Sequence, residues 1–324
     1  MRWRSITGLR AAGAVLFVAL ALAGCGSSSG GRNLPQLTIA LDFTPNAVHA
    51  PVFAASRTGR DRANGVKLVI RQPGAGPDAL KLVAAGRLDL GILDIQDLAI
   101  ARERGIDVVG VAELVRKPLA ALVTKASIKR PRDLEGHAVG VSGLPSDPAF
   151  LDAVIGYDGG DLRRVHQVTI GFNAVSGILA GKIDAAPVFW NAEGVALKQR
   201  GVKVNEFRIE DYGAPAYPEV VLVTARKTLD RERDRIRRTL LAIRDGVAAV
   251  RADPGAAVKQ IAHEAQTDDT KLIGAQLAAV SPIFADDLRL DRPVLERWAD
   301  FDQRLGIVKK RTDVARAFDF SLMG

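Results

Sequence analysis

Residues 38–51 read Thr-Ile-Ala-Leu-Asp-Phe-Thr-Pro-Asn-Ala-Val-His-Ala-Pro. The first four residues form a short apolar run of the buried-strand type, and Asp42 and the turn-forming pair Pro45-Asn46 end it. An alanine-rich apolar segment follows, in which Pro51 occupies a position that the first turn of a helix tolerates. The stretch therefore predicts a strand, a polar loop and a helix in succession.

This order places Asp42, Phe43, Asn46 and His49 at the carboxyl end of a strand. In open α/β sheets, ligands bind in the crevice at that edge. A second interpretation needs no ligand, because the same residues also fit a tight strand-to-helix connection in which Asn46 caps the helix. The spacing alone leaves both interpretations open.

The segment 42–49 resembles the Asp-Trp-x-Pro-Asn-x-x-His signature of the thiamine-precursor-binding family. This family includes substrate-binding proteins of bacterial ABC importers and the fungal enzymes that make the thiamine pyrimidine. The stretches Trp190–Gly194 and Asp211–Tyr217 also fit the family, and the resemblance extends from about residue 37 to about residue 283. It implies an α/β, two-lobed periplasmic-binding-protein type 2 fold with two crossover strands and a ligand cleft between the lobes.

Taken together, the resemblance and the loop patterns give candidate ligand-binding residues from both lobes, namely Asp42, Phe43, Asn46, His49, Gly74, Gly143, Trp190, Glu193 and Tyr212. A flat ligand would stack between Phe43 and the Trp190/Tyr212 side, because aromatic faces favour offset stacking. Glu193 would accept hydrogen bonds from an aminopyrimidine edge, and His49 would bond to a hydroxyl or formyl group. The structural alternatives are a core position for Trp190 and an ordinary first helical turn for Glu193.

Two glycine-containing loops precede predicted helices. Gly74 lies in the loop 73–78, whose backbone N–H groups could face a ligand, although the loop lacks the lysine of a nucleotide-binding phosphate loop. Gly143 lies in the stretch 142–148, which we interpret as the second lobe's counterpart of the opening segment.

A short sequence pattern that occurs twice in the chain favours two lobes. Residues 85–92 and 180–187 each contain a helix end at glycine, then a basic residue, an apolar residue, an aspartate and an apolar strand. We expect crossovers near residues 114–119 and 216–221.

The corresponding boundaries assign residues 37–115 and 222–324 to lobe one and residues 116–221 to lobe two. Before them we expect a signal peptide at 1–24 and a flexible, Gly/Ser-rich tether at 25–36.

The N-terminal segment predicts processing and anchoring rather than a folded element. Three arginines precede the apolar run 11–23, which is too short to span a bilayer as a stable anchor. The run ends in Leu-Ala-Gly-Cys, which resembles the lipobox of bacterial lipoproteins. We therefore expect Cys25, the single cysteine of the sequence, to be lipidated and to hold the protein at the outer face of a membrane.

The charge distribution indicates which partners to expect. The first 24 residues account for +3 of the formal charge of +8, and the arginine-rich stretch 231–238 also contains acids, as is typical of a solvated helix face. With no nucleic-acid-binding motif, we do not expect nucleic acid as a partner. The resemblance implies a small-molecule ligand and an ABC permease with its ATPase as partners, and we expect a monomer. No catalytic residue, cofactor or metal site is predicted.

Departures from the family pattern leave the ligand open. Phe43 stands where the signature has Trp, and the second-lobe loop has Ser142, Leu144 and Asp147 in place of an indole, a hydroxyl and a longer acid. The alternative ligands are an alkanesulfonate, nitrate, taurine or a flavin precursor, and for an anion Arg116 is the candidate partner. The rival class is an extracellular enzyme related to the pyrimidine synthases, which the resemblance associates with iron and a cysteine-rich motif that is missing from this sequence.

Overall fold

The strand predicted from the opening stretch is present, and it belongs to one of two five-stranded mixed sheets. The computed structural model describes residues 34–72, 78–143 and 146–324. The strands in these residues are β1 (Gln36–Ala40), β2 (Lys67–Arg71), β3 (Leu90–Asp94), β4 (Val108–Val115), β5 (Ala120–Lys125), β6 (Ala138–Val141), β7 (His166–Thr169), β8 (Ala185–Phe189), β9 (Val204–Arg208) and β10 (Val220–Ala225).

The two sheets have the same internal arrangement. The first has the order β2-β1-β3-β10-β4 and the second β7-β6-β8-β5-β9. In the first, β1 is parallel to β2 and β3, and β10 is antiparallel to β3 and β4. In the second, β6 is parallel to β7 and β8, and β5 is antiparallel to β8 and β9. Each sheet therefore includes one antiparallel strand contributed by a crossover between the sheets.

Helices cover both sheets. In the described residues they are α1 (Ala50–Arg57), α2 (Arg60–Ala63), α3 (Asp78–Ala84), α4 (Ile95–Glu103), α5 (Asp147–Tyr157), α6 (Ala174–Leu179), α7 (Val195–Gln199), α8 (Arg226–Ala252), α9 (Pro254–Glu264), α10 (Thr270–Val280), α11 (Arg292–Arg304) and α12 (Val314–Ala317). A 3-10 helix at Ala47–His49, a π-helix at Trp190–Gly194 and a 3-10 helix at Ile209–Tyr212 follow β1, β8 and β9. None of the described helices has both the length and the apolar character needed to cross a bilayer.

The chain crosses between the sheets twice, which confirms the predicted fold class. It passes from β4 into β5 and returns from β9 into β10. All of β10 pairs with the first sheet, so a boundary at 221/222 would divide this strand. Residues Leu34–Gly324 form one compact unit, and the lobe boundaries themselves stay a prediction. The signal peptide and nearly all of the tether lie outside the described residues.

A close helix contact anchors the C-terminal half of the chain on the first sheet. The apolar face of α8 packs against α1, and both contribute to the core over β1, β3 and β4. At their closest approach, a Cβ on Gly246 would lie 2.1 Å from the carbonyl oxygen of Pro51 and 3.1 Å from the nitrogen of Ala55. Glycine at this position is therefore required by packing.

Gly246→Ala should lower the free energy of unfolding by about 1–3 kcal/mol, because the two helices must separate to accommodate the methyl group. Gly274→Ala in α10 is the matched control, since its Cβ would meet no atom closer than 3.8 Å. Denaturant unfolding followed by circular dichroism measures both variants. Equal stabilities of the two variants would contradict the close contact.

Candidate functional site

The polar residues after β1 form a closed hydrogen-bonded unit. Nε2 of His49 lies 2.6 Å from Oδ1 of Asp42, and the backbone N–H of Asn46 donates to Nδ1 of His49 at 3.2 Å. With Nδ1 acting as an acceptor, the proton on Nε2 is donated to Asp42. Burial acts to raise the pKa of Asp42, but His49 and backbone N–H groups outweigh it and hold that pKa below its ordinary value.

This geometry corrects the expected role of His49. The residue is fully buried, and both ring nitrogens are bonded within the protein. It therefore orients Asp42 rather than offering a ring nitrogen to a ligand's hydroxyl or formyl group. Asp42 retains an exposed fraction of 21% of its side chain.

Asn46 serves as the helix cap that the second interpretation of the opening stretch required. Its Oδ1 accepts the N–H of Val48 at 2.9 Å, and its Nδ2 donates to the carbonyl of Thr44 at 3.1 Å. Since the amide is engaged at both ends, its function here is to shape the loop that carries Asp42 and Phe43.

Phe43 extends from this loop and is 41% exposed. Its ring contacts Phe172, which follows β7 in the second sheet, with 5.2 Å between the ring centroids and an interplanar angle of 62°. The predicted partners of Phe43 in the second lobe were Trp190 and Tyr212. Its observed aromatic partner there is Phe172, which the sequence analysis did not select.

Of the two predicted glycines, Gly74 and Gly143, the structure describes only Gly143. Gly74 lies outside the described residues. Gly143 has a φ of +90°, a conformation that favours glycine, and its N–H donates to Oδ2 of Asp147 at 2.7 Å. Asp147 also accepts from the hydroxyl of Ser142. The N–H of Gly143 is therefore bonded to the first residue of α5.

Trp190 belongs to the core. It is 8% exposed, its Nε1 donates to the carbonyl of Pro118 at 3.0 Å, and the guanidinium of Arg208 lies 4.0 Å from its ring centroid. The indole thus joins the start of the π-helix to the first crossover, and Arg208 covers one of its faces.

Tyr212 lies in a different neighbourhood from Trp190. Its ring packs edge-on against Tyr157 and Phe207, at centroid distances of 5.7 and 6.2 Å. The core cluster it packs against is not the one that contains Trp190. The structure therefore does not assemble the expected Trp190/Tyr212 stacking surface.

Glu193 is half-buried in the π-helix, and its Oε2 accepts the N–H of Phe189 at 3.2 Å. Burial raises its pKa, and the backbone hydrogen bonds only partly offset this. Helix α10 packs against both this π-helix and the Ala47–His49 helix, and Nε2 of Gln276 donates to the carbonyl of Ala192 at 3.3 Å. The segments that carry Glu193 and Asp42 are thus held beside one helix.

Further acids, which the sequence analysis missed, lie close to Asp42. Asp94 ends β3, a parallel neighbour of β1, and its buried Oδ1 has no hydrogen-bond partner among the described residues. Burial and the charges of Glu219, Asp42 and Asp97 raise the pKa of Asp94 well above its ordinary value. Burial and Asp42 also raise the pKa of Asp97. The position of Asp94 at the end of an apolar strand was the signal that could have found it.

Glu219 lies where the two crossovers meet. It is 2% exposed, and its Oε2 accepts the N–H groups of Leu119 at 2.7 Å and of Ala120 at 3.3 Å. Its own carbonyl accepts the N–H of Ile95 at 3.0 Å. Burial raises the pKa of Glu219 to about 7.

Arg116, the candidate partner for an anion, is engaged in ion pairs. Its Nε donates to Oε1 of Glu113 at 2.8 Å, and its Nη2 contacts Asp287. Burial raises the pKa of Glu113 to about 7 despite this pairing. Arg116 therefore does not present an uncompensated positive charge. Within the described ranges, no group of three His, Cys, Asp or Glu side chains could hold a metal ion.

Among known protein families, the one described as "NMT1/THI5 like" matches this chain over residues 46–257. The chain belongs to the NMT1/THI5-like family. The matched region includes Asp94, Trp190, Glu193 and Glu219, and it begins just after Asp42 and Phe43.

Relatives in this family carry names of two kinds. The chain is 32% identical over 215 residues to the formylaminopyrimidine-binding protein of Halalkalibacterium halodurans, a match that spans 65% of each chain. It is 24% identical over 238 residues to the 4-amino-5-hydroxymethyl-2-methylpyrimidine phosphate synthase THI12 of Saccharomyces cerevisiae, covering 69% of this chain and 70% of the relative. The family thus includes proteins named for binding and proteins named as enzymes.

Among solved structures, the chain is similar to the periplasmic aliphatic sulphonate binding protein SsuA of Escherichia coli. The TM-score is 0.71 at 19% sequence identity, and the similarity covers 87% of this chain and 91% of that one. At this identity, the likeness shows that the NMT1/THI5-like chain shares the two-lobed binding-protein fold.

The buried carboxyl at the crossovers predicts a pH effect on stability. Folding raises the pKa of the Glu219 carboxyl from 4.5 to about 7, so the folded state favours the protonated form. The stability that this carboxyl contributes is therefore fully present below pH 4.5 and is lost as the pH rises through about 7. Glu219→Gln keeps an oxygen that accepts the N–H groups but cannot ionise. Its free energy of unfolding should fall less over this interval than that of the wild type, by on the order of 3 kcal/mol.

Denaturant titrations at a series of pH values provide the measurement. Asp230→Asn, at an exposed position of α8, is the control and should follow the wild-type pH profile. If Glu219→Gln follows that profile as well, the buried-carboxyl interpretation fails.

Proposed function

We propose that this protein captures a small heteroaromatic molecule with amine donors, such as a thiamine pyrimidine precursor, for an ABC importer. The observation that carries the proposal is the group of carboxyl side chains that follow β1 and β3, Asp42, Asp94 and Asp97, whose charges act on one another. Glu193 lies on the π-helix that packs, like the Ala47–His49 helix, against α10. Asp94 has a buried oxygen with no hydrogen-bond partner among the described residues, so it has unused capacity to accept a hydrogen bond.

The negative charges of these carboxyl groups favour a ligand that carries hydrogen-bond donors over one that carries acceptors. Burial, and then the negative charges of Glu219, Asp42 and Asp97, raise the pKa of Asp94 because they disfavour its ionised form. An amine edge, or a protonated ring nitrogen, would relieve this repulsion and supply the missing hydrogen bonds. A carboxylate beside an exocyclic amine and a ring nitrogen would make two such bonds.

The same charges disfavour an anionic ligand. An alkanesulfonate, nitrate or the sulfonate group of taurine would approach Asp42, whose lowered pKa favours the carboxylate, while Arg116 is already paired with Glu113 and Asp287. The sulphonate-binding structure supports the fold but not this ligand class. A flavin precursor remains an alternative, because it is also a flat heteroaromatic.

The relatives support a binding role. The formylaminopyrimidine-binding protein is 32% identical to this chain over 215 residues, and its name gives a specific candidate ligand. The synthase relatives keep an enzyme as the rival. Our proposal assigns the pyrimidine to this chain as cargo and not as a product, with closure of the lobes around it by a hinge.

Calorimetry with formylaminopyrimidine and with an alkanesulfonate tests the ligand class. We expect the pyrimidine to bind the wild type, and Glu193→Gln and Asp94→Asn each to weaken binding by roughly 10- to 150-fold, because each removes a hydrogen bond to a charged group. Asp230→Asn on α8 is the control and should bind as the wild type does.

Tight sulfonate binding that survives Glu193→Gln would overturn the ligand assignment while leaving a transport role. Mass spectrometry of the pyrimidine recovered after incubation separates binding from catalysis. An unchanged compound supports capture, whereas conversion of the compound would support the enzyme.

Anchoring is the second part of the proposal. Cys25 lies outside the described residues, and the case for its lipidation rests on the apolar run and the Leu-Ala-Gly-Cys sequence. A lipidated Cys25 would tether the protein at the outer face of a membrane. There it would lie close to the permease that works with the ATPase.

Cys25→Ser should abolish acyl labelling and release the protein from membranes, because the modified thiol is absent. Fractionation and incorporation of a labelled fatty acid measure this, with Ser27→Ala as a control within the same segment. A Cys25→Ser protein that still sediments with membranes and carries label would show the anchoring proposal to be wrong.

A further inference from the structure

Two exposed phenylalanines meet between the two halves of the protein. Phe43 is 41% exposed and Phe172 is 64% exposed, yet their ring centroids are 5.2 Å apart. Neither residue belongs to a core cluster, so neither ring is needed to fill the interior of its own sheet layer. The rings therefore have each other as aromatic partners in otherwise open surroundings.

The position of each ring follows from the topology. Phe43 follows β1 of the first sheet, and Phe172 follows β7 of the second. Each of these strands is parallel to its neighbour, and each ring extends from the loop at the strand's carboxyl end. Ligand crevices of α/β sheets lie at that edge, so the contact bridges the opening between the lobes.

The local backbone presents Phe172 at the tip of a turn. Gly171 has a φ of +59°, and Nδ2 of Asn173 donates to the carbonyl of Ile170 at 3.0 Å. Asp42, adjacent to Phe43, is held by His49. Both rings thus extend from loops fixed by hydrogen bonds, while the rings themselves are free to part when the lobes separate.

We propose that Phe43 and Phe172 form an aromatic gate over the interlobe cleft, which parts to admit a flat ligand and re-forms to retain it. This inference rests on the proposed function and adds Phe172 to the residues that determine it. Edge-to-face contact at 5.2 Å leaves no space for a ring between the two, so the ligand lies behind the pair, on the side of Asp42.

The gate has a kinetic consequence. The contact exists only when the lobes are close together, so its loss destabilises the closed, ligand-retaining form. An aromatic pair of this kind corresponds to about a 2- to 12-fold change in an equilibrium constant. Because the closed form governs escape, the change should fall mainly on the dissociation rate.

The contact itself can be measured without a ligand. With 4-fluorophenylalanine at position 172, the fluorine resonance should move in the Phe43→Leu variant, because the ring current of Phe43 is lost. Leu179→Ala is the matched control, since Leu179 is a 49% exposed apolar residue in α6 of the same lobe. An unmoved resonance in Phe43→Leu overturns the gate whatever the ligand proves to be.

Stopped-flow measurements with formylaminopyrimidine then test the function of the contact. Phe172→Ala and Phe43→Ala should each raise the dissociation rate about 2- to 12-fold, and the double variant should show little further increase because the two rings act as one contact. Leu179→Ala should dissociate as the wild type does.

The outcomes separate the two proposals. If the wild type binds the pyrimidine but Phe172→Ala leaves its dissociation rate unchanged, the gate is overturned and the function stands. If the fluorine contact is present but the wild type does not bind the pyrimidine, the proposed ligand falls, and with it the gate as stated for that ligand.

Discussion

The arrangement of the two sheets depends on one buried carboxyl group. Oε2 of Glu219 accepts backbone N–H groups from Leu119 and Ala120, at the point where the chain enters the second sheet. The carbonyl of the same residue accepts the N–H of Ile95, just before β10 re-enters the first sheet. Glu219 thus joins both crossovers and the start of α4.

The buried carboxyl groups near this junction are costly to ionise. Burial, and then the charge of Glu219, raise the pKa of both Asp94 and Asp302, and Asp42 adds to the effect on Asp94. Such groups are stabilised by protons or by hydrogen-bond donors. A ligand with amine donors fits that requirement, which links the hinge chemistry to the ligand class that we propose.

Much of the fold could be predicted from local sequence. The apolar run at 38–41 and the sequence pattern shared by residues 85–92 and 180–187 were enough to indicate two α/β units. This is because the signals for strands and helices are local in the sequence. The site could be predicted only in part. Whether Trp190 lines a pocket or fills a core depends on the carbonyl of Pro118, which is 72 residues away, and Glu219 acts on an N–H group 100 residues away. Likewise, no local pattern marks Phe172 as the partner of Phe43.

We propose that the carboxyl groups around Asp42 and Asp94 select an amine-bearing heteroaromatic ligand. Native mass spectrometry of the protein purified from its own cells tests this most directly, by identifying the small molecule that is released on denaturation. We predict a flat nitrogen heterocycle with at least one amine. An alkanesulfonate or another anion without an amine donor would contradict the claim, because the carboxyl groups around Asp42 and Asp94 would then have no partner in the ligand.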